Sequence, residues 1–442
     1  MQVTTHTRAC HPRATCWHRG ARVGNIIDIS EGDRRRRTRD RRQQEAGRER
    51  AGDGGAKTAL VLTGGGFTGG VYQIGALRAL DLLSVNSSVN DFDMVVGTSC
   101  GAFIGSLVAN GARPEDMMAL LDGEEVAGYE PLELDRLLRP NWRGLARSAT
   151  RLPFASARIA KDVALNIRNL SLVDALAMFS DVLPGGFYSL EGMAEMLEQQ
   201  LQRDGWSNDF REMQKELYIV ATDLDTCEPV VFGDEGWDDV PISRATAASA
   251  ALPLVYQGIN IRGREFVDGG LRSFANVETA VEKGAKLVVI VNSIVPFGND
   301  RLTQYQGARP RRVSDRGIHI VGSQMLKCLV WNALHERLEH WRAAHPDVDF
   351  ILIEPRRDDE LMFSTQIMNV SQRVQIARHG FESVTMQLAS DFDHYRDLCA
   401  KHGIEISRRG VIEALAQDKR AESSTTRWRR ILERGAELRA AR

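Results

Sequence analysis

The sequence lacks an apolar run long enough to cross a lipid bilayer. A membrane-spanning helix needs about 20 consecutive, mainly apolar residues, and polar or charged residues interrupt every candidate run before that length. The first residues also lack the apolar core of a signal peptide, because Arg8, His11, Arg13 and Arg19 interrupt it. We therefore expect a cytoplasmic protein, and peripheral attachment to a membrane stays open as an alternative.

Metal-binding spacing and a strong net charge are missing as well. The cysteines are scattered along the chain, at Cys10, Cys16, Cys100, Cys227, Cys328 and Cys399. Because their spacing fits neither a metal site nor a disulfide framework, we expect no metal and no cofactor. The formal net charge of -2 argues against a general nucleic-acid-binding protein. The sequence gives no indication of oligomeric state.

The segment 1–56 differs in composition from the rest of the chain. It carries thirteen arginines against seven acidic residues and has few periodic apolar positions. Such a segment buries too little apolar surface to offset the entropy lost on ordering, so we predict that it is disordered. Binding to nucleic acid or anionic lipid, and a start codon assigned too far upstream, are the alternatives.

From Lys57 onward, short apolar runs alternate with helical segments, which is typical of an α/β fold. The predicted strands are Ala59–Thr63, Phe92–Val96, Leu217–Thr222, Pro229–Phe232, Lys286–Asn292 and Val348–Ile353. The predicted helices are Val71–Leu83, Gly101–Asn110, Leu190–Gln202 and Ile318–Arg342. This pattern predicts an α/β core over 57–300, a mainly helical extension over 301–403 that returns one strand to the sheet, and a charged tail or helix over 404–442.

A glycine-rich loop follows the first predicted strand. It contains Gly64, Gly66 and Gly69 in the pattern G-x-G-x-x-G, which in this position suggests a dinucleotide site. A dinucleotide fold also needs an acidic residue at the end of its second strand, and that strand runs instead from Val96 into Gly97. Glycine N–H groups at a helix N-terminus attract any anion, so an oxyanion is the alternative ligand.

The second predicted strand leads into a G-x-S-x-G pentapeptide, Gly97-Thr98-Ser99-Cys100-Gly101. Between a strand and a helix, this pattern is typical of a serine nucleophile on a sharp turn with small neighbours. Such a serine needs a base, yet the span 19–318 contains no histidine. His319, His335 or His379 could come from the extension, but we predict that His335 and His340 are surface residues of a charged helix.

A carboxylate is the other candidate base. Asp268 ends a short apolar strand, Glu265-Phe266-Val267, and is followed by Gly269 and Gly270. An aspartate in an apolar cleft has its pKa raised by desolvation, which makes it a better proton acceptor. Taken alone, the D-G-G sequence is better explained by an ordinary β-turn.

In this order, the GGG loop, the G-x-S-x-G turn and the D-G-G turn resemble the patatin-like phospholipase family. Three further stretches are similar to bacterial members: Tyr218–Leu224, Ala247–Pro253 and Phe350–Pro355. The resemblance covers about 58–300 strongly and extends loosely to about 390. It implies a three-layer α/β/α fold with a mostly parallel sheet, and a metal-independent lipid acyl hydrolase of phospholipase A, lysophospholipase or esterase type.

The resemblance also assigns roles to residues. It implies Ser99 as nucleophile, Asp268 as its base, and an oxyanion hole at Gly64, Gly65, Gly66 and Phe67. Five further glycines support these motifs, namely Gly69, Gly97, Gly101, Gly269 and Gly270. The chain departs from the family where Thr68 replaces the usual Arg or Lys, which weakens the case for a phosphate-bearing substrate, and where no proline follows Asn276. A lipid transacylase and a non-catalytic lipid- or nucleotide-binding protein remain as alternatives.

Lipid substrates are presented at an interface, and one basic stretch fits such a surface. Arg139, Arg143, Arg147 and Arg151 are four residues apart, and Trp142 lies among them. If the stretch is helical, these arginines form one stripe, which is typical of an interfacial helix. The alternative is a solvated helical face that covers the core.

Overall fold

The computed structural model describes residues 56–131, 133–151, 183–273, 275–298, 312–365 and 368–412. Except for residue 56, the segment 1–56 that was predicted to be disordered lies outside these residues. The strands described are β1 (Thr58–Leu62), β2 (Met94–Thr98), β3 (Arg139–Pro140), β4 (Gly186–Ser189), β5 (Glu216–Asp223), β6 (Pro229–Phe232), β7 (Leu254–Tyr256), β8 (Ile259–Ile261), β9 (Arg264–Asp268), β10 (Leu287–Val291) and β11 (Asp349–Ile353).

The first of the described helices begins at the end of the glycine loop. The helices are α1 (Gly66–Leu83), α2 (Cys100–Ala109), α3 (Pro114–Asp122), α4 (Glu191–Leu201), α5 (Ile242–Ser249), α6 (Val277–Glu282), α7 (Ile318–Ala344), α8 (Glu360–Ser364), α9 (Arg373–Ser390) and α10 (Phe392–Lys401). Residues 142–151 are also helical. Within the described ranges, no helix combines the length and the apolar character needed to span a membrane.

One eight-stranded sheet organises the molecule. Its order is β11-β10-β1-β2-β5-β9-β8, and β6 pairs with β5. The strands from β11 to β5 are parallel, whereas β6, β8 and β9 run antiparallel to their neighbours. The predicted mostly parallel sheet is therefore confirmed, including the return of β11 from the C-terminal part of the chain. A second, three-stranded sheet has the order β3-β4-β7.

Both faces of the large sheet are buried, as parallel strands require. Side chains alternate along β1: Leu60 packs into a cluster with residues of α1, α2 and α9, whereas Val61 packs into a second cluster with Leu334 and Leu338 of α7. Helices thus cover the sheet on both sides. The three-layer α/β/α architecture and the mainly helical C-terminal region are as predicted.

Helix α9 has no counterpart among the predicted elements, yet it crosses α1 very closely. A Cβ atom on Gly75 would lie 1.9 Å from the carbonyl oxygen of Ala377, and one on Gly380 would lie 2.4 Å from that of Tyr72. A glycine on each helix therefore permits the backbones to touch. This contact fixes the C-terminal helices against the helix that begins at the glycine loop.

Residues 404–412 pack on the core, although the sequence analysis assigned them to the charged tail. Ile404 and Val411 are buried, and Ile406 forms a β-bridge with Ser84 at the end of α1. Composition was a poor guide to this segment, because the few apolar residues among its many charges are the ones that pack against the core.

Candidate active site

The register of β5 brings the Ser99 turn and Asp268 together. Thr98, the last residue of β2, pairs with Val220 of β5, and Asp268, the last residue of β9, pairs with the adjacent Ala221. Because β6 occupies the opposite edge of this part of β5, β2 and β9 follow each other along the same edge. Two motifs about 170 residues apart in the sequence therefore end side by side.

Ser99 lies on a strained turn between β2 and α2. Its backbone has φ 57° and ψ -124°, which few non-glycine residues adopt and which is typical of functional sites. A Cβ atom on Gly97 would lie 2.5 Å from Ala102 Cα, and one on Gly101 would lie 2.2 Å from the Leu62 carbonyl oxygen. Both motif glycines are therefore needed for close backbone packing around the serine.

Asp268 lies beside the Ser99 hydroxyl in a buried position. The Ser99 hydroxyl stabilises the ionised Asp268 carboxyl group and lowers its pKa, and each residue is only 6% exposed. The backbone N–H of Gly270 donates to Asp268 Oδ1 at 2.8 Å. Burial raises the pKa of Asp268 from 3.8 to about 6, although the bonds from Ser99 and Gly270 oppose the shift. The carboxylate is thus ionised near neutral pH, yet basic enough to accept a proton.

The glycine loop ends at the N-terminus of α1. Helix α1 begins at Gly66 with Gly65 at its N-cap, and no side chain caps it. Gly65 and Gly66 have φ values of 153° and 62°, a region that favours glycine. A Cβ atom on Gly65 or Gly69 would lie within 2.5 Å of Ser293 Oγ. The uncapped first turn leaves backbone N–H groups available to an anion.

The active-site pocket has two lobes, and Ser99 lies where they join. The apolar lobe contains the serine and Phe67 within a wall of hydrophobic side chains from α1, α2 and α4, among them Val71, Ile74, Phe103, Ile104, Leu190 and Met193. The second lobe, which we name the polar lobe after its two charged side chains, contains the serine, the glycine loop and Asp268. The rest of its lining is mostly apolar, and its far wall comes from α7 and α8. Among the described residues that line the polar lobe, Asp268 and Lys327 are the charged ones.

The histidines considered as alternative bases have other surroundings. His335 is half-buried, its ring lies against Trp331 at 4.0 Å between centroids, and its Nε2 lies 3.2 Å from Glu354 Oε1. His335 is thus a partly exposed residue of α7 whose ring is covered on one side, because Glu354 follows β11 on that face of the helix. His340 is exposed, as predicted. His379 pairs with Asp359. Neither lobe of the pocket has a histidine among its described lining residues.

Three buried polar residues that the sequence analysis did not single out hold the site together. Ser249 Oγ accepts a hydrogen bond from the Ser99 backbone N–H at 2.9 Å and donates to the carbonyl oxygen of Val220 at 2.6 Å. Asn276 donates to Thr98 Oγ1 at 2.8 Å, and Ser293 donates to the Gly64 carbonyl oxygen at 3.1 Å. Ser249 lies in the small-residue run Ala247–Pro253, which was the available signal for close packing.

The predicted basic stripe is divided between two elements. Arg139 belongs to β3 and pairs with Glu195 at 2.7 Å, whereas the helix starts at residue 142. The prediction of one helical stripe from Arg139 to Arg151 is therefore wrong for Arg139, because this residue pairs in β3 and lies before the helix. Trp142 is 71% exposed, and Arg143 and Arg147 are also exposed.

Sequence comparisons show the family of this chain. The family model for patatin-like phospholipases matches residues 60–281, about half of the chain. A probable lipid hydrolase, 463L, of Invertebrate iridescent virus 6 is 24% identical over 229 residues, which cover 50% of this chain and 63% of the viral protein. The chain thus spans less than two thirds of that relative.

Two solved structures of bacterial proteins match the chain weakly. VipD from Legionella pneumophila is 16% identical with a TM-score of 0.33, and the match covers 76% of this chain and 67% of VipD. ExoU from Pseudomonas aeruginosa, solved with SpcU, is 13% identical with a TM-score of 0.31, and the match covers 76% of this chain and 53% of ExoU.

Proposed function

Because the chain belongs to the patatin-like phospholipase family, we propose that it hydrolyses carboxylic esters of lipids through Ser99 and Asp268. The observation that carries this proposal is the contact between the Ser99 hydroxyl and the buried Asp268 carboxyl group, whose pKa is raised to about 6. A nucleophile beside a perturbed base in a pocket is the usual sign of covalent catalysis.

In the proposed mechanism, the Asp268 carboxylate accepts the Ser99 proton as Ser99 Oγ attacks the ester carbonyl carbon. The N–H groups at Gly65, Gly66 and Phe67 stabilise the negative charge that develops on the carbonyl oxygen. The C–O bond to the alcohol then breaks, and the proton on Asp268 passes to the leaving oxygen. Water, deprotonated by Asp268, finally cleaves the acyl-enzyme. Each oxyanion donor is worth about 3 kcal/mol of transition-state stabilisation in known hydrolases.

The apolar lobe supports a fatty acyl group as the part of the substrate that is cleaved. It opens at Ser99 and is bounded by hydrophobic residues such as Ile74, Phe103 and Met193. Burying a methylene group contributes about 0.8 kcal/mol, so a chain of several carbons is retained there. The alcohol part of the ester then lies in the polar lobe.

We place the contact with a lipid surface on the first half of α7. Ile318, Met325 and Leu329 are 91%, 63% and 62% exposed and lie on one helical face. The face continues into the active-site pocket through Leu326 and Leu271, which line the polar lobe and are 48% and 57% exposed. A lipid that leaves an interface along this face reaches Ser99 without crossing water, which favours α7 over residues 142–151.

Hydrolysis by wild-type protein and the Ser99→Ala variant tests the proposal. We expect wild type to release fatty acid from mixed micelles of phospholipid, lysophospholipid or acylglycerol, and Ser99→Ala to lose the activity while keeping its melting temperature. Ser390→Ala, at an exposed serine of α9, is the matched control. Transfer of the acyl group to added glycerol instead of water would identify a transacylase, and activity retained by Ser99→Ala would refute the mechanism.

A further inference from the structure

Lys327 places a positive charge on the wall of the polar lobe. It belongs to α7, and the lobe that it lines also contains Ser99, Asp268 and the glycine loop. The loop itself supplies no cation, because Thr68 occupies the position at which the family resemblance leads us to expect Arg or Lys. Helix α7, about 250 residues after the glycine loop, thus brings a positive charge into the same pocket.

The Lys327 ammonium group is only partly satisfied by protein atoms. Its Nζ donates to the carbonyl oxygen of Met362 at 3.2 Å and lies 5.8 Å from the Phe363 ring centroid. No carboxylate of the described residues lies within ion-pair distance of it. An ammonium group has three donors, so further hydrogen bonds are open to a ligand.

Arg316 provides a comparison on the same aromatic ring. Its guanidinium lies 5.1 Å from the Phe363 centroid and is paired with Glu360 at 3.3 Å. Among the residues that the structure describes, Lys327 has no such partner, although Asp359 acts on it at longer range, and burial lowers the pKa of its ammonium group. A half-buried cation without a close counter-ion is unfavourable, and an anionic ligand would relieve this cost.

We propose that Lys327 is a specificity-determining residue that binds the phosphate group of the lipid substrate while the ester lies at Ser99. The inference rests on the proposed hydrolase function and adds the residue that selects among esters. Asp268 and Lys327 then have separate tasks in the polar lobe: the carboxylate moves the proton, and the ammonium group holds the anionic part of the alcohol. Asp359, rather than Asp268, is the carboxylate that influences the Lys327 charge.

The test compares two esters with identical acyl chains, phosphatidylglycerol and diacylglycerol, in mixed micelles of an uncharged detergent. Wild type, Lys327→Met, Lys327→Arg and the control Lys286→Met are assayed. Lys286 directly precedes β10, at the N-terminal ends of the parallel strands, whereas Ser99 follows the C-terminal end of β2. Lys286 pairs with Asp347. For Lys327→Met we expect the ratio of kcat/KM for phospholipid over diacylglycerol to fall about tenfold or more, mainly through KM, because a charge-assisted hydrogen bond is lost. Lys327→Arg keeps most of the ratio, and Lys286→Met keeps all of it.

Several outcomes would overturn the assignment. An unchanged ratio in Lys327→Met, or equal loss in Lys327→Met and Lys327→Arg with intact melting temperatures, would show that Lys327 does not bind the phosphate. If inorganic phosphate inhibits cleavage of both lipids equally through Lys327 while the ratio stays constant, the residue binds free phosphate instead. Absence of Ser99-dependent hydrolysis of either lipid would reject the proposed function itself, which is a separate result.

Discussion

The two walls of the polar lobe differ in how they are built. The wall from the core consists of the glycine loop, the Ser99 turn and the end of β9. It is packed so closely that an extra Cβ atom at Gly65 or Gly69 would meet Ser293 Oγ, and one at Gly101 would meet the Leu62 backbone. The opposite wall consists of side chains from α7 and α8, such as Leu326 and Lys327. We infer that the rigid wall performs the chemistry and the side-chain wall selects and receives the substrate.

The largest expected effect of a change in the rigid wall, Ser99 itself aside, is that of Asp268→Asn. Asparagine keeps the shape and can still accept the hydrogen bond from Gly270, but it cannot take the Ser99 proton. We expect kcat/KM to fall by roughly 10³-fold, in line with the usual value of a general base. Initial rates on a micellar phospholipid measure this. A loss smaller than about tenfold would point to another base.

Gly101→Ala tests the claim that the rigid wall is fixed by backbone packing. The new Cβ atom would meet the carbonyl oxygens of Leu62 and Thr63 at 2.2 and 2.6 Å, so we expect a loss of about 3 kcal/mol in unfolding free energy. Urea denaturation measures it. Gly322→Ala on α7, where no atom lies within 4 Å, is the control, and it should stabilise the protein by about 0.5–1 kcal/mol. Equal effects at the two positions would contradict the account.

The pH dependence of kcat/KM reports the state of the base. Asp268 must be ionised to accept the Ser99 proton, and burial raises its pKa to about 6. We expect kcat/KM to be constant above this pH and to fall about tenfold per pH unit below it. Profiles measured with a neutral ester avoid titration of the substrate. A profile that stays flat down to about pH 4 would show that no group with a raised pKa acts as base.

The smallest expected effect arises on the substrate-receiving wall. Replacing Met325 and Leu329 by Glu adds charge to the exposed apolar face of α7, so we expect binding to phospholipid vesicles to weaken about tenfold, with little change in hydrolysis of a water-soluble ester. Vesicle co-sedimentation measures the binding. The comparison variant replaces Trp142 and Arg143 by Glu. If that variant loses binding and the α7 variant does not, the interface lies at residues 142–151.

The difference between the walls also explains what the sequence could predict. Ser99, Asp268 and the glycines could be singled out from the sequence because strained turns and close backbone approaches admit few residue types. Strands such as β1 and β10 could be predicted from their continuous apolar runs. Lys327 carries no such signal, since a lysine on a long helix is usually solvated. Helix α9 was also missed, because its close packing on α1 depends on Gly75 facing Ala377 and Gly380 facing Tyr72. Likewise, the basic pattern suggested a stripe that the pairing of β3 interrupts.

The most direct test of the central claim is to trap the nucleophile. Wild type, Ser99→Ala and Asp268→Asn are treated with a fluorophosphonate that carries an alkyl chain, and the adducts are mapped by mass spectrometry of proteolytic fragments. We expect one phosphonyl adduct on Ser99 in the wild type, none in Ser99→Ala, and much slower labelling in Asp268→Asn. An adduct on another residue, or equal labelling of wild type and Asp268→Asn, would contradict a Ser99 nucleophile activated by Asp268.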